Sequence, residues 1–182
     1  KLYTISAAHK QNSLLDISGK YYNVPVYDLF GGKFTDQLDV YWSHCGTSRV
    51  RAYQHIEKPA IKDNNDQIQF CEEINKSGYK SIKTNIAILG ENPHIYMPGS
   101  NKSSGWPNLN LTNKVEANII NWIKTFKDNL NEDIAIAIDL NYNFKNDGYK
   151  KILKLIDEYK LSWVELDLLN NSNLKPILNK TN

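Results

Sequence analysis

Hydrophobic positions along the chain switch between helical and strand-like spacing, which predicts a succession of helices and strands. Over residues 3–22 the apolar side chains recur roughly at helical spacing, so the chain is expected to open with a helix. A short apolar turn follows Pro25 and ends at the glycine pair Gly31 and Gly32. Residues 38–43 are then rich in β-formers and predict the first strand.

The remaining sequence repeats the order of helix and strand. Helices are predicted over residues 65–76, from Asn113 to Phe126, over 147–160 and from Leu174 onward. Strands are predicted over residues 79–88, 134–140 and 161–168. Residues 90–110 are rich in Gly, Pro, Ser and Asn and are too long for an ordinary connection, so we expect them to be either functional, for example as a cover over a site, or disordered.

Four strands that alternate with helices predict an α/β fold made of parallel βα units. Such units form either an open, doubly wound sheet or part of a closed barrel. Neither a G-x-G-x-x-G fingerprint nor a phosphate-binding P-loop follows any of the strands. This weakens the interpretation as an open nucleotide-binding sheet.

Composition and charge narrow the function classes. The 182 residues are 41% hydrophobic, enough for one ordinary domain, or one domain with a fragment of another, and a real core. With 22 Lys and Arg against 20 Asp and Glu, the net charge of +2 argues against a nucleic-acid partner. No apolar run is long enough to span a membrane. The two cysteines lie far apart in sequence, and we expect buried thiols in a cytoplasmic protein.

Polar residues follow each predicted strand, at the ends where parallel βα proteins place their active sites. They are His44 after the first strand, Lys83 and Asn85 on the second, Asp139 and Asn141 on the third, and Glu165 and Asp167 on the fourth. Side chains alternate along a strand, so each pair on one strand faces the same way. Asp and Glu on adjacent strands suit a hard cation such as Mg²⁺, unless they are only solvated rim residues or helix caps.

Taken together, these motifs resemble the enolase superfamily, in its mandelate racemase-like branch and its galactonate-type sugar-acid dehydratases. The resemblance covers nearly the whole chain. Its most specific parts are residues 6–20 and 24–32, which look like the helix and turn that leave the family's N-terminal capping domain. Lys83-Thr84-Asn85 matches the family's lysine motif on the second strand. Asp139-x-Asn141 matches its metal motif on the third strand, and Trp163-Val164-Glu165 matches its metal motif on the fourth.

The resemblance implies a fold and a domain division. Residues 38–182 would form strands one to four of a TIM-type (β/α) barrel. Residues 1–37 would form the C-terminal helix and turn of an α+β capping domain. A complete family member has eight barrel strands, so the chain looks truncated at both ends, and we expect it to be inactive by itself.

The resemblance also implies a reaction and roles for the strand-end residues. The family uses Mg²⁺ to abstract the proton α to a carboxylate, and its dehydratases then eliminate the β-hydroxyl of a small-molecule sugar acid. Asp139 and Glu165 would be metal ligands, and Lys83 would contact the substrate carboxylate or the intermediate. Asn141 would be a polar neighbour in the site. By location alone His44 is a candidate substrate contact, as well as a structural histidine.

One departure separates the chain from racemases of this branch. Their second lysine, which acts as a base, is replaced by Asn85, whose amide takes up no proton at neutral pH. We therefore place Asn85 among the substrate-binding candidates and expect the general base and a third metal carboxylate beyond Asn182, in a homo-oligomeric full-length enzyme. The alternatives are a racemase or cycloisomerase of the same superfamily and a noncatalytic α/β ligand-binding domain.

Overall fold

The computed structural model describes residues 2–100, 106–167 and Ile177. The chain divides into two compact units, Lys1–Asp39 and Val40–Asn182. Across the residues that are described, no helix is both long and apolar enough to cross a membrane.

The first unit consists of helix α1 (Leu2–Tyr22), as the helical spacing predicts, and a 3-10 helix (Val26–Phe30). The backbone N–H of Val24 donates a hydrogen bond to the carbonyl of Gly19 at 2.9 Å. A Cβ atom on Gly19 would lie 2.9 Å from the carbonyl oxygen of Val24. Glycine is therefore the residue that lets the chain fold back against the helix here.

The second unit contains the remaining helices and all strands of the described residues. Its helices are α2 (Thr47–Arg51), α3 (Tyr53–Ile56), α4 (Asn64–Lys76), α5 (Asn113–Asn129) and α6 (Asn146–Ile156). Its strands are β1 (Ser81–Asn85), β2 (Ala87–Ile88), β3 (His94–Ile95), β4 (Ala135–Asp139) and β5 (Trp163–Glu165). Of the helix predicted from Leu174, the described residues include only Ile177, which is helical and buried.

Strands β1, β4 and β5 form a parallel sheet in the order β1-β4-β5, which confirms the α/β class. One face of this sheet is buried by helices. Ile82 and Ile136 cluster with Phe70 of α4 and with Trp122 of α5, while Ile138 belongs to a second cluster with residues of α5 and α6. The other face carries the polar side chains, so the fold positions the candidate site by covering the apolar face.

Two of the helices that cover the sheet, α4 and α5, begin at side-chain caps. Asp63 accepts a hydrogen bond from the backbone N–H of Asp66 at the start of α4, and Thr112 accepts one from Val115 at the start of α5. A capping oxygen satisfies a backbone N–H group that has no partner within the helix. These caps explain why both helices begin one residue after a polar side chain.

The prediction of a strand over residues 38–43 is wrong in extent. Only Trp42 pairs with the sheet, through its N–H to the carbonyl of Ser81 and its carbonyl to the N–H of Lys83, each at 2.9 Å. On one side the chain turns at His44, which has a φ of 52°. On the other side the side chain of Val40 is exposed and does not pack into the core. Of the predicted strand, Trp42 is therefore the one residue that pairs with the sheet.

Two other predicted strands also differ from the structure. The strand predicted over residues 79–88 is split at the buried Ile86 into β1 and β2. β2 forms an antiparallel hairpin with β3, which lies inside the segment predicted as a loop. That segment packs through Tyr96, whose ring stacks on Phe144 with centroids 5.7 Å apart. The fourth strand is confined to Trp163–Glu165, and the last residue of its predicted range, Leu168, is outside the described residues.

Candidate active site

The carboxyl ends of the three parallel strands bring polar side chains into one row. Asn85 of β1 pairs in register with Asp139 of β4, and Asp139 pairs with Glu165 of β5. Residues paired across neighbouring strands point to the same face of a sheet, so these three side chains lie side by side. Two residues earlier in β1, Lys83 lies on the same face, one level below this row.

Lys83 is the positive charge of the site. Its Nζ donates a hydrogen bond to Glu165 Oε2 at 2.6 Å and lies 3.8 Å from Asp139 Oδ2. The hydrogen bond to Glu165 raises the pKa of Lys83 above its ordinary value, against the opposing effect of burial. The ammonium group therefore stays charged and ties β1 to β5 across β4.

An aromatic pair lies next to Lys83. Its Nζ is 5.8 Å from the centroid of the Tyr41 ring, and Tyr41 contacts Trp163 edge to face with centroids 5.1 Å apart. A cation over an aromatic face is attracted by the ring quadrupole, which is negative on that face. The sequence analysis missed Tyr41 as part of the site, although it lies one residue before Trp42, which pairs with β1.

Asp139 is almost fully buried and strongly hydrogen-bonded. Its Oδ1 accepts hydrogen bonds from the backbone N–H of Asn141 at 2.9 Å and from Asn141 Nδ2 at 2.8 Å. Asn141 has a φ of 50°, in the left-handed region that asparagine tolerates better than most residues, and the Tyr149 hydroxyl donates to its carbonyl oxygen. The turn after β4 thus orients Asp139 with its other oxygen, Oδ2, towards Lys83.

Asn85 links Asn141, and through it the Asp139 carboxylate, to the turn at His44. Its Nδ2 donates to Asn141 Oδ1 at 3.1 Å. Its Oδ1 accepts from the Thr47 hydroxyl and lies 3.0 Å from His44 Nδ1. Asn85 is buried, whereas His44 is exposed. The structure therefore brings all the predicted site residues of β1, β4 and β5 together with His44, and adds Thr47, which no sequence motif indicated.

Asp167 is the third carboxyl group near the row. Burial, and then the negative charges of Asp139 and Glu165, raise the pKa of Asp167 above its ordinary value. Three carboxyl groups thus share a region whose one positive side chain in the described part of the site is Lys83.

The donor set of the site fits Mg²⁺ in chemistry. Carboxylate and amide oxygens are the ligands of a hard cation, and the excess of carboxylates over ammonium groups favours one. Within residues 2–100 and 106–167, no three His, Cys, Asp or Glu side chains are grouped closely enough to hold a metal by themselves. Asp139 and Glu165 therefore supply at most part of a coordination sphere.

The fold and the site together define an α/β protein whose parallel sheet presents one lysine and several carboxylates at the carboxyl ends of its strands. No family model matches the chain. It is 23% identical over 156 residues to a D-galactonate dehydratase family member from Enterococcus gallinarum and 23% identical over 153 residues to a D-xylonate dehydratase from Haloferax volcanii. Each match covers 84% of this chain.

Comparison with solved structures finds related proteins. A protein from Burkholderia xenovorans, provisionally named an L-alanine-DL-glutamate epimerase, is 37% identical with a TM-score of 0.83 over 92% of this chain, and it has also been solved with magnesium and fumarate. A mandelate racemase/muconate lactonizing enzyme-like protein from Rubrobacter xylanophilus shares the fold at 21% identity, with a TM-score of 0.69 over 92% of this chain.

These comparisons bear out the predicted resemblance: proteins named sugar-acid dehydratases are among the sequence relatives, and the fold is shared with structures described as an enolase superfamily member and as mandelate racemase/muconate lactonizing enzyme-like. The chain spans only part of them. It covers 34% and 32% of the two curated dehydratases and 42% of the Burkholderia protein.

Proposed function

We propose that this chain is part of a Mg²⁺-dependent sugar-acid dehydratase. The observation that carries the proposal is the row formed by Asp139 and Glu165, with Lys83 beside both carboxylates. The similarity to proteins named galactonate and xylonate dehydratases supports the substrate class. The parallel order of β1, β4 and β5 supports a (β/α) barrel of which this chain supplies the first strands.

In this proposal each described residue has a separate task. Asp139 and Glu165 hold the metal ion, while hydrogen bonds from Asn141 fix Asp139. When bound, Mg²⁺ supplies positive charge beside the substrate carboxylate. The ammonium group of Lys83 contacts the same carboxylate and stabilises the negative charge that develops there as the α-proton leaves. The general base and further metal ligands come from the rest of a longer protein.

An epimerase is the second candidate, because the Burkholderia structure with that provisional name is 37% identical to this chain. Both reactions begin with removal of a proton α to a carbonyl carbon, but an epimerase returns a proton to that carbon. Asn85 does not supply a base for this step, since its amide is buried and hydrogen-bonded on both sides. This favours the dehydratase.

The test is turnover by the protein encoded by the complete gene. We would incubate it with a panel of aldonic and aldaric acids and with Ala-Glu dipeptides, in Mg²⁺ and in EDTA. We expect a 2-keto acid product that requires Mg²⁺ and that is lost in Asp139→Asn and Glu165→Gln. The control Asp157→Asn changes an exposed carboxylate and should keep full activity. Exchange of the α-proton in D₂O without loss of water would establish the epimerase instead.

A further inference from the structure

A hydrogen-bonded series of four side chains runs from Asp139 through Asn141 and Asn85 to His44. We propose that this series fixes the proton of His44 on Nδ1, so that Nε2 accepts a hydrogen bond from a hydroxyl group of the substrate. The proposal rests on the proposed function for the identity of the substrate. The tautomer of His44 is independent of it.

Asp139 determines which atom of each following side chain donates a hydrogen bond and which accepts one. Asp139 Oδ1 is a carboxylate oxygen, which only accepts hydrogen bonds, so the Asn141 side-chain atom 2.8 Å from it is the amide nitrogen, which donates. The amide oxygen of Asn141 is then the atom that faces Asn85. An oxygen acceptor requires a donor opposite it, so Asn85 presents its NH₂ group to Asn141.

The same reasoning reaches the histidine. With its NH₂ group towards Asn141, Asn85 presents its carbonyl oxygen to His44 Nδ1 at 3.0 Å. A carbonyl oxygen only accepts, so Nδ1 of His44 carries the proton. Thr47 does not decide the direction, because a hydroxyl group can donate or accept, and it donates to the same oxygen at 3.0 Å.

The consequence lies at the other ring nitrogen. In a neutral histidine protonated at Nδ1, Nε2 holds a lone pair. Within residues 2–100 and 106–167, Nε2 of His44 has no protein hydrogen-bond partner, and the side chain is exposed at the same strand ends as Asp139. The group that pairs with it must be a donor.

This polarity distinguishes between substrate groups. A sugar-acid hydroxyl donates to Nε2, whereas a carboxylate or a keto group at the same position offers only acceptors. His44 is therefore a specificity-determining residue for a hydroxylated acid, while Asn85 and Asn141 are positioning residues that act through it. A single neutral hydrogen bond is worth about 1 kcal/mol, so about fivefold to tenfold discrimination is expected.

The tautomer is measured directly by long-range ¹H–¹⁵N correlation spectra of the imidazole rings in the protein from the complete gene. At about pH 8.5 we expect a pyrrole-type signal for Nδ1 of His44 and a pyridine-type signal for Nε2. His44→Gln assigns the signals. His94, whose Nδ1 lies 2.8 Å from the carbonyl oxygen of Asn92, should give the same pattern and serves as an internal comparison.

Two variants test the origin of the tautomer. Asn85→Ala should shift His44 towards the Nε2–H form, since the acceptor for Nδ1 is gone. Thr47→Val, which removes a hydroxyl from the same oxygen, should leave the Nδ1–H form in place. An Nε2–H signal in the unaltered protein overturns the proposal, even if Asn85→Ala fails to fold.

The substrate part is tested by kcat/KM for a hydroxy acid and for analogues that each lack one hydroxyl. We expect His44→Leu to lower kcat/KM fivefold to tenfold for the full substrate and to have little effect on one deoxy analogue, while His44→Gln restores part of the loss. Equal losses for all analogues, or no loss, overturn hydroxyl recognition. If the unaltered protein dehydrates no acid, the proposed function and the substrate assignment both fail, while the spectra still decide the tautomer.

Discussion

Replacing Lys83 with methionine should lower the stability of the metal-free protein. The ammonium group is 2.6 Å from Glu165 and 3.8 Å from Asp139, and its side chain is only 12% exposed. A hydrogen bond to a charged group is worth about 1.5 to 3 kcal/mol. Glu165 is 39% exposed, so solvent screens part of this. We expect the free energy of unfolding to fall by about 1 to 2 kcal/mol.

The same substitution should strengthen Mg²⁺ binding, because it removes a positive charge from beside the proposed ligands. Unit charges about 4 Å apart interact by about 4 kcal/mol at an effective dielectric constant of about 20. A third of that amount already corresponds to about tenfold in a dissociation constant. Excess Mg²⁺ should therefore stabilise Lys83→Met by at least about 1.4 kcal/mol more than it stabilises the unaltered protein.

The assay is equilibrium urea unfolding followed by tryptophan fluorescence, in EDTA and in excess Mg²⁺. Lys124→Met is the control, because Lys124 pairs with Asp128 on the exposed side of α5 and should change neither quantity measurably. The reasoning is refuted if Lys83→Met behaves like this control in EDTA. It is also refuted if Mg²⁺ stabilises Lys83→Met less than the unaltered protein.

Other predictions concern the packing beneath the site. Thr84→Val should lower the free energy of unfolding, measured in urea, by about 2 kcal/mol. The Thr84 hydroxyl accepts a hydrogen bond from Trp122 Nε1 at 3.1 Å and donates one to a backbone carbonyl at 2.7 Å. Thr84→Ser keeps the hydroxyl and should retain most of the stability. Gly46→Ala should cost at least about 2 kcal/mol, because φ is 80° and the new Cβ would lie 2.9 Å from the Trp122 ring. Gly78→Ala, with a φ of 83° and open space around it, should lose only about 1 to 2 kcal/mol, and an equal loss in both variants would contradict the packing argument. Burial raises the pKa of the Cys71 thiol to about 12, so it should resist Ellman's reagent at pH 8 until the protein unfolds, and rapid labelling of the folded protein would disprove this.

The sheet and the polar row could be predicted from local sequence because both depend on short-range patterns. The near-continuous apolar run over residues 134–140 predicts a strand buried on both faces, and β4 occupies most of it. Alternation of side chains predicts that Lys83 and Asn85 share a face, and the register with β4 agrees. These features need no knowledge of distant contacts.

The rest of the site depends on contacts that sequence spacing does not encode. Thr47 reaches Asn85 across 38 positions, through a turn in which His44 adopts a φ of 52°. The strand predicted over residues 38–43 was overestimated because β propensity does not show where a chain leaves its neighbour. The aromatic contact between Tyr41 and Trp163 joins segments more than a hundred residues apart, so only the folded sheet reveals it.

The common register of Asn85, Asp139 and Glu165 limits how such a chain can change in evolution. One residue inserted within β4 would turn Asp139 towards the helices and bring its apolar neighbour Ile138 into the row. Substitutions can thus alter the chemistry one position at a time, whereas an insertion or deletion inside a strand changes every side chain that the strand presents to the site. Insertions are tolerated better in the connections between strands and helices, where no side-chain register is lost.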